Sequence, residues 1–448
     1  MRSKSREAQP LNRCLLCQSV LSHIPVTLHQ VRILIYGLNY SPELTGIGKY
    51  TGEMSSWLAA RGHEVRVITA PPYYPAWSIR EDYRNTLYRT ENAARQNPAE
   101  PIVYRTPLYV PAKPTGLKRV LHLASFMLGS LPVIARQLFW QPQIVFTVEP
   151  TFFCAPIALL TAQATGASSW LHVQDFEVDA AFDLNLLPAE GPIHALALGL
   201  EKLFTQSFTR VSSISRKMVE RAVAKGIPAS QAILFPNWVD IEAIHPQCCT
   251  TPNSFRRELN LEGKIILLYS GNMGAKQGLE LLAPLAQSFE HDPRIHFLFC
   301  GDGAFRPQLE SLVTNHANVT LLPLQPVERL NDLLNAADIH LLPQRAGAAD
   351  LVMPSKLTGM LSSGRPIIAT ADEGTQVAHV VNGQSSNEAC GIVVPAEAPQ
   401  ALNAAVTTLI NNPTLRTQLG ANARNYAIQH LGKQQVLEQF ERDLRSLI

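Results

Sequence analysis

The sequence predicts two tandem doubly wound α/β domains, on three observations. From residue 31 to 69 a strand, a glycine-bearing loop, a helix and a second strand follow one another, the order of a βαβ unit with parallel strands. The same alternation continues to residue 237 and restarts at Lys264. The chain has 448 residues, too many for one ordinary domain and enough for each half to bury its own core.

Composition sets further bounds. With 46% hydrophobic and 17% charged residues the chain is globular and rather apolar. A net charge of +2 gives no bulk electrostatic case for nucleic acid. Cys14, Cys17, Cys154, Cys248, Cys249, Cys300 and Cys390 are odd in number and mostly lie in apolar runs, which favours reduced thiols in the cytoplasm. Cys14 and Cys17 lack a second pair at zinc spacing. Residues 1–30 hold Arg2, Lys4, Arg6 and Arg13 and a short apolar patch, too short for a span and without a small-residue cleavage site. They read as a disordered extension, or as an upstream start assigned to a longer reading frame.

In the first domain, residues 31–240, strands are expected at 31–36, 64–69, 102–105, 144–148, 169–175, 210–215 and 232–237. Helices are expected at 49–60, within 151–171, within 184–208 and up to Lys225, with Gly226 as its stop. Residues 37–48 read as a loop, and 71–77 as an aromatic loop. Residues 116–140 are the most membrane-like segment. Lys113, Lys118 and Arg119 precede the apolar run and Arg136 closes it, while Pro132 and the charges leave it short of a span. An interfacial helix with a basic rim and a buried helix of the fold both suit it.

A linker over 241–262 leads to a second domain at 263–425 and a C-terminal helix at 426–448. Strands are expected at 265–270, 296–300, 319–322, 339–342, 367–369 and 391–394, with a helix at 279–290. From Pro399 onward the chain reads as helix, broken only at 411–413. Such sheets bind ligands at the carboxyl ends of their strands, here in the cleft where the two domains face each other.

Six loops carry candidate chemistry. Pro354 and Ser355 form a helix start, with Ser355 as N-cap and Gly364-Arg365-Pro366 as the stop. Lys356 in the first turn opposes the helix dipole, a placement that makes sense with a phosphate between them; a surface lysine on a capped helix also accounts for it. Gly46 and Gly48 allow a phosphate or sugar close to the backbone, and no G-x-G-x-x-G is present, which argues against a nicotinamide cofactor. Residues 270–278 are glycine-rich and carry Lys276 but lack the Walker ending, and Gly301-Asp302-Gly303 is a sharp turn after a strand. His172 and Asp175 lie where a strand empties into the cleft and are candidates for polar contacts to a sugar. The sixth, 236–240, marks the domain junction.

Taken together, Asn237-x-Val239-Asp240, the glycine-rich turn at 270–278, Gly301-Asp302-Gly303 and Pro354-Ser355-Lys356 with Gly364-Arg365-Pro366 resemble the GT-B glycosyltransferases of family four, over residue 31 to about the C-terminus. Residues 36–50 and 172–182 resemble the branch that assembles the exopolysaccharide colanic acid by fucosyl transfer. The resemblance implies a retaining transfer from a nucleotide-diphosphate sugar, GDP-fucose foremost, to a hydroxyl of a glycan or lipid-linked oligosaccharide. It implies neither cofactor nor obligatory metal, and a place in the cytoplasm; the basic apolar segment 113–136 leaves peripheral contact with the inner membrane open.

By position, the resemblance gives His172 and Asp175 catalytic places, and Gly46 and Gly48 places near the diphosphate and acceptor. Ser355 and Lys356 fall at the phosphate-facing helix start, and Gly301, Asp302 and Gly303 border the nucleotide. Two departures stand out. Asn272 and Gln277 occupy positions where many relatives carry Arg and Lys, and Gly359 stands at the second position of a Glu-x₇-Glu pair whose first falls near Leu351. Part of the phosphate charge then falls to Lys276, Lys356 and Arg345. Two other readings share the fold: a nucleotide-sugar epimerase or other GT-B transferase, and a non-catalytic nucleotide-sugar-binding subunit of a membrane assembly, which the missing acidic pair favours.

Overall fold

Along β1 (Arg32–Tyr36), Ile33 and Ile35 point to one side, Leu34 and Tyr36 to the other, and all four are fully buried. A strand with no solvent face needs helices on both sides, the layering of a doubly wound sheet. The computed structural model describes residues 30–43, 46–94, 96–113, 115–149, 152–176, 191–247, 252–274, 277–346 and 354–448. The expected N-terminal extension, Lys276 and Leu351 lie outside the described residues.

The first sheet is built from β1, β2 (Glu64–Thr69), β3 (Arg89–Glu91), β4 (Ile102–Arg105), β5 (Ile144–Glu149), β6 (Ser168–Val173), β7 (Arg210–Ser213) and β8 (Ala232–Leu234). Its order is β3-β4-β2-β1-β5-β6-β7-β8, and only β3 runs antiparallel. The pattern misses β3, which is polar and largely exposed and so offers no hydrophobic alternation. Its helices are α1 (Gly46–Ala60), α2 (Gly116–Trp140), α3 (Ala155–Thr165), α4 (Pro192–Gln206) and α5 (Arg216–Ala224). On the side of Leu34 and Tyr36, the core takes Phe126, Val133 and Ile134 from α2, Ala158 from α3 and Met218 from α5. On the side of Ile33 and Ile35 it takes Tyr50, Met54 and Leu58 from α1.

The second sheet has order β11-β10-β9-β12-β13-β14 and is wholly parallel. Its strands are β9 (Ile265–Ser270), β10 (Ile295–Cys300), β11 (Val319–Leu322), β12 (Ile339–Leu342), β13 (Ile367–Thr370) and β14 (Gly391–Val394). After the short α6 (Ser254–Glu258), its helices are α7 (Leu282–Ser288), α8 (Arg306–Val313), α9 (Leu330–Ala336), α10 (Lys356–Ser362) and α11 (Gln376–Asn382). The helix expected over 279–290 opens as a 3₁₀ turn at Leu279–Leu281. In both sheets the central pair meets where the strand order reverses, β1 beside β5 and β9 beside β12, which is where such folds place their ligands.

The chain ends in α12 (Pro399–Asn411), α13 (Pro413–His430) and α14 (Lys433–Arg445). A second break, at Leu431 and Gly432, is absent from the sequence reading. There the Val239 amide donates to the Leu431 carbonyl at 2.8 Å and the Lys433 amide to the Val239 carbonyl at 2.9 Å. This junction redirects α14 onto the first sheet, where Val436, Leu437, Phe440 and Leu444 pack with Phe146, Trp170 and Phe235.

Candidate active site

Three strand ends build the site of the second domain. After β9 the chain turns through Gly271, whose amide donates to the Cys300 carbonyl at 2.9 Å, and Met273, whose amide donates to the Asp302 carbonyl at 2.7 Å. These bonds lay the turn after β9 directly against the turn after β10. A Cβ on Gly301 would collide with the Gly271 carbonyl, and one on Gly303 with the Met273 carbonyl; both residues also hold φ near +150°. Glycine is therefore dictated by backbone packing at Gly301 and Gly303.

Lys356 closes this pair of turns. It is the first residue of α10, its side-chain Cδ would lie 3.2 Å from a Cβ at Gly271, and its Nζ sits 4.1 Å from the centre of the Tyr269 ring. The residue is half-buried overall, but Nζ is shut off from water and makes no hydrogen bond among the described residues. Burial without a partner pushes its pKa down to about 7. A buried ammonium without an acceptor is costly, a cost that an anion beside it would relieve.

Tyr269 was not singled out in the sequence, where it reads only as a strand residue. Its ring lies beside the ammonium, and its hydroxyl donates to the Asn272 carbonyl at 2.5 Å, fixing the turn. It therefore positions both the cation and the glycine backbone.

Other expected donor contacts are already engaged. Gln277 accepts from the Gly274 amide at 3.0 Å, so it shapes the turn. The Asn272 side chain lies close to Gly274 and Gly303. Asp302 is exposed, and its carboxylate accepts from the Gly303 amide at 2.8 Å. Arg345 follows β12 with its backbone against Gly278, and its guanidinium donates to Glu280 at 2.9 Å. The Ser355 side chain makes no capping bond and its backbone is already helical, which corrects the N-cap reading. With only seven residues in α10, the anion argument passes from the helix dipole to the Lys356 amine. A side chain at Gly359 would press on Leu334, which lies 3.2 Å from its Cβ position.

The first domain presents the loop between β1 and α1. Gly46 and Gly48 lie inside α1, not before it: Gly46 is its first residue at φ +59° and Gly48 is buried in its first turn. A Cβ on Gly48 would meet Glu43 Cβ and Oε2 at 2.8 Å. Glu43 is the residue that sequence reasoning missed here. It is buried, accepts from the Tyr73 and Tyr74 amides at 3.1 Å and from Asn39 at 3.0 Å, and so ties the aromatic loop to the glycine loop. Burial raises its pKa against those hydrogen bonds. From the same helix, Tyr50 reaches the side chain of Thr358 in α10, so the starts of α1 and α10 lie close together.

The two expected catalytic residues separate. Asp175 lies two residues past the end of β6 and is half-buried. His172 does not reach the strand exit. It is 4% exposed, packs against Phe146 and Phe235, and shares Ser212 Oγ with the Trp170 indole, each at 2.8 Å. Ser212 accepts from Trp170, the direction of its bond with His172 Nδ1 is set by the imidazole tautomer, and burial pushes the imidazole down to about 3. A neutral core histidine replaces the expected catalytic one, because the side chains of β6 alternate and this one faces the α14 side.

Residues 45–238 match the family described as Glycosyl transferase 4-like domain, and residues 251–426 match Glycosyl transferases group 1. The chain is 42% identical to WcaI of Escherichia coli (strain K12), whose name assigns it to glycosyl transfer in colanic acid biosynthesis, over 93% of this chain and 100% of that protein. Among solved structures, sucrose-phosphate synthase from Thermosynechococcus elongatus superposes with TM-score 0.72 at 18% identity, over 93% of this chain and 99% of that one. Anabaena HepE in complex with UDP-glucose superposes with TM-score 0.66 at 14% identity, over 92% of this chain and 100% of that one.

Proposed function

The chain belongs to the glycosyltransferases of GT-B fold, and from that premise we propose that it moves a sugar from a nucleotide-diphosphate donor to a glycan or lipid-linked oligosaccharide during assembly of an exopolysaccharide of the colanic acid kind. The observation that carries this reading is Lys356, a cation buried beside two glycine turns with no hydrogen-bond acceptor among the described residues. A diphosphate is the ligand that satisfies it: the oxygens accept from Nζ while the backbone of Gly271, Gly301 and Gly303 allows close approach. As the donor departs, the same charge stabilises the leaving nucleoside diphosphate. In this reading configuration at the sugar is retained, no metal is obligatory, and Asp175 is the carboxylate nearest the reacting sugar. The acceptor enters on the side of Glu43, Gly46 and Gly48. GDP-fucose is the expected donor, on the resemblance of residues 36–50 and 172–182 given above. The protein works at the cytoplasmic face of the inner membrane, held there peripherally.

A thermal-shift panel of GDP-, UDP-, ADP- and dTDP-sugars tests the donor. One class should raise the melting temperature of the protein and fail to do so in Lys356→Ala. No shift from any nucleotide sugar, or an undiminished shift in the variant, overturns the assignment of this site.

A further inference from the structure

The chain leaves the first domain through residues 236–240 and returns to it through 431–433. The two segments meet side by side at the bridge between Val239 and Gly432. α1 holds both of them. Midway along it, Glu53 accepts from the Trp238 indole N–H at 2.8 Å and lies 3.0 Å from the Lys433 ammonium. One turn earlier on the same face, Tyr50 meets the Trp238 ring edge-on, 5.1 Å between centres, and reaches the side chain of Thr358 in α10. Thr358 donates to the Ser355 carbonyl at 2.9 Å, and Ser355 directly precedes Lys356. Two side chains of α1 therefore touch the outgoing segment, the returning helix and the helix that opens with Lys356.

These contacts do more for geometry than for stability. Trp238 is buried, so its N–H needs the acceptor that Glu53 supplies. The Glu53–Lys433 pair is partly exposed and contributes little free energy, yet it fixes how far α14 stands from α1. On that side Glu53 and Lys433 line an open groove of about 420 Å³ with Ser41, Glu43 and Trp57, so the joint is wet and its polar contacts set the spacing.

We propose that Tyr50 and Glu53 are positioning residues that set the angle between the two domains, and with it the distance from a donor at Lys356 to an acceptor beside Glu43 and Gly48. They act through Trp238, Lys433 and Thr358 rather than on a substrate. In the transfer reaction proposed above, on which this rests, donor and acceptor are held by different domains. Reacting atoms carried by two bodies must come within about 3–3.5 Å, and a misplacement of about 1 Å caused far from the chemistry costs about a hundredfold in rate. A few residues at element ends absorb such rotations, and here they are the residues that α1 grips.

Tyr50→Phe, which keeps the ring, and Glu53→Ala test this, with Glu53→Gln as the conservative variant that still accepts from Trp238. Transfer from GDP-fucose to lipid-linked saccharides extracted from an exopolysaccharide-producing strain is measured beside the affinity for GDP. In Tyr50→Phe and Glu53→Ala kcat should fall about ten- to hundredfold while the Kd for GDP stays within about twofold, because the diphosphate groups all belong to the second domain. Glu53→Gln should recover most of the rate. Small-angle scattering reads the domain angle itself: Tyr50→Phe and Glu53→Ala should give larger or broader dimensions, and Glu53→Gln the wild-type profile. Unchanged kcat, or scattering identical to wild type in both variants, overturns the proposal. So does a loss of kcat matched by an equal loss of GDP affinity, which a merely structural role would give. A wild type that transfers nothing refutes the transferase reading, and the scattering then decides the role of Tyr50 and Glu53 by itself.

Discussion

Lys356 shows how much one side chain decides. Its folded pKa of about 7 lies below the ordinary lysine value, so between about pH 7 and 10.5 the unfolded chain binds more protons than the folded one. Its penalty on stability is full below pH 7 and fades as pH rises through that window. A bound diphosphate reverses the shift, because an anion favours the ammonium. Diphosphate affinity should therefore fall as pH rises above 7, by up to about tenfold per unit, measured by titration calorimetry in buffers of different ionisation enthalpy. Tyr269→Phe keeps the ring and loses the bond to Asn272, costing about 1 kcal/mol of stability in denaturant titration. Tyr269→Leu removes the ring as well and should weaken donor binding further, whereas Tyr269→Phe should bind nearly normally.

At the scale of elements, the loop between β1 and α1 was legible as glycine-bearing but not as it is built. Its pattern places Gly46 and Gly48 ahead of a helix; in the fold they open the helix, because Gly48 must pass over the buried Glu43 carboxylate. Nothing in a single sequence marks Glu43 as the residue that two distant tyrosine amides reach. Gly48→Ala should destabilise the protein by roughly 1–3 kcal/mol through overpacking, and Glu43→Ala should free the aromatic loop, seen as faster amide exchange at Tyr73 and Tyr74. His172 is the converse case. Chain position puts it near a strand exit, but a period of two along β6 turns its side chain into the core, and only pairing with β5 and β7 reveals which face that is.

For the whole molecule, two largely parallel sheets were readable from alternating apolar runs and glycine stops, and thirteen of the fourteen strands among the described residues fall close to their expected places. The return of α14 was not readable, because an amphipathic helix does not name the surface it covers. Here it covers the first sheet and carries Glu441, 3% exposed, between Arg61, His63 and Arg445. Burial alone would raise the Glu441 pKa, but hydrogen bonds from Arg445 and His63 bring it below the usual value. Its contribution is present above the ordinary carboxylate pKa and is lost as pH falls through the depressed folded value. Glu441→Gln should accordingly lower the melting temperature at neutral pH and narrow its difference from wild type in acid.

The claim on which the rest depends is that Lys356 holds the donor diphosphate. Titration of GDP-fucose, and of the nucleotide sugar favoured by the thermal panel, into the wild type and Lys356→Met at pH 7 tests it most directly. The account predicts roughly ten- to hundredfold weaker binding in the variant, with the fold intact by circular dichroism. Equal affinity in the two proteins would contradict it.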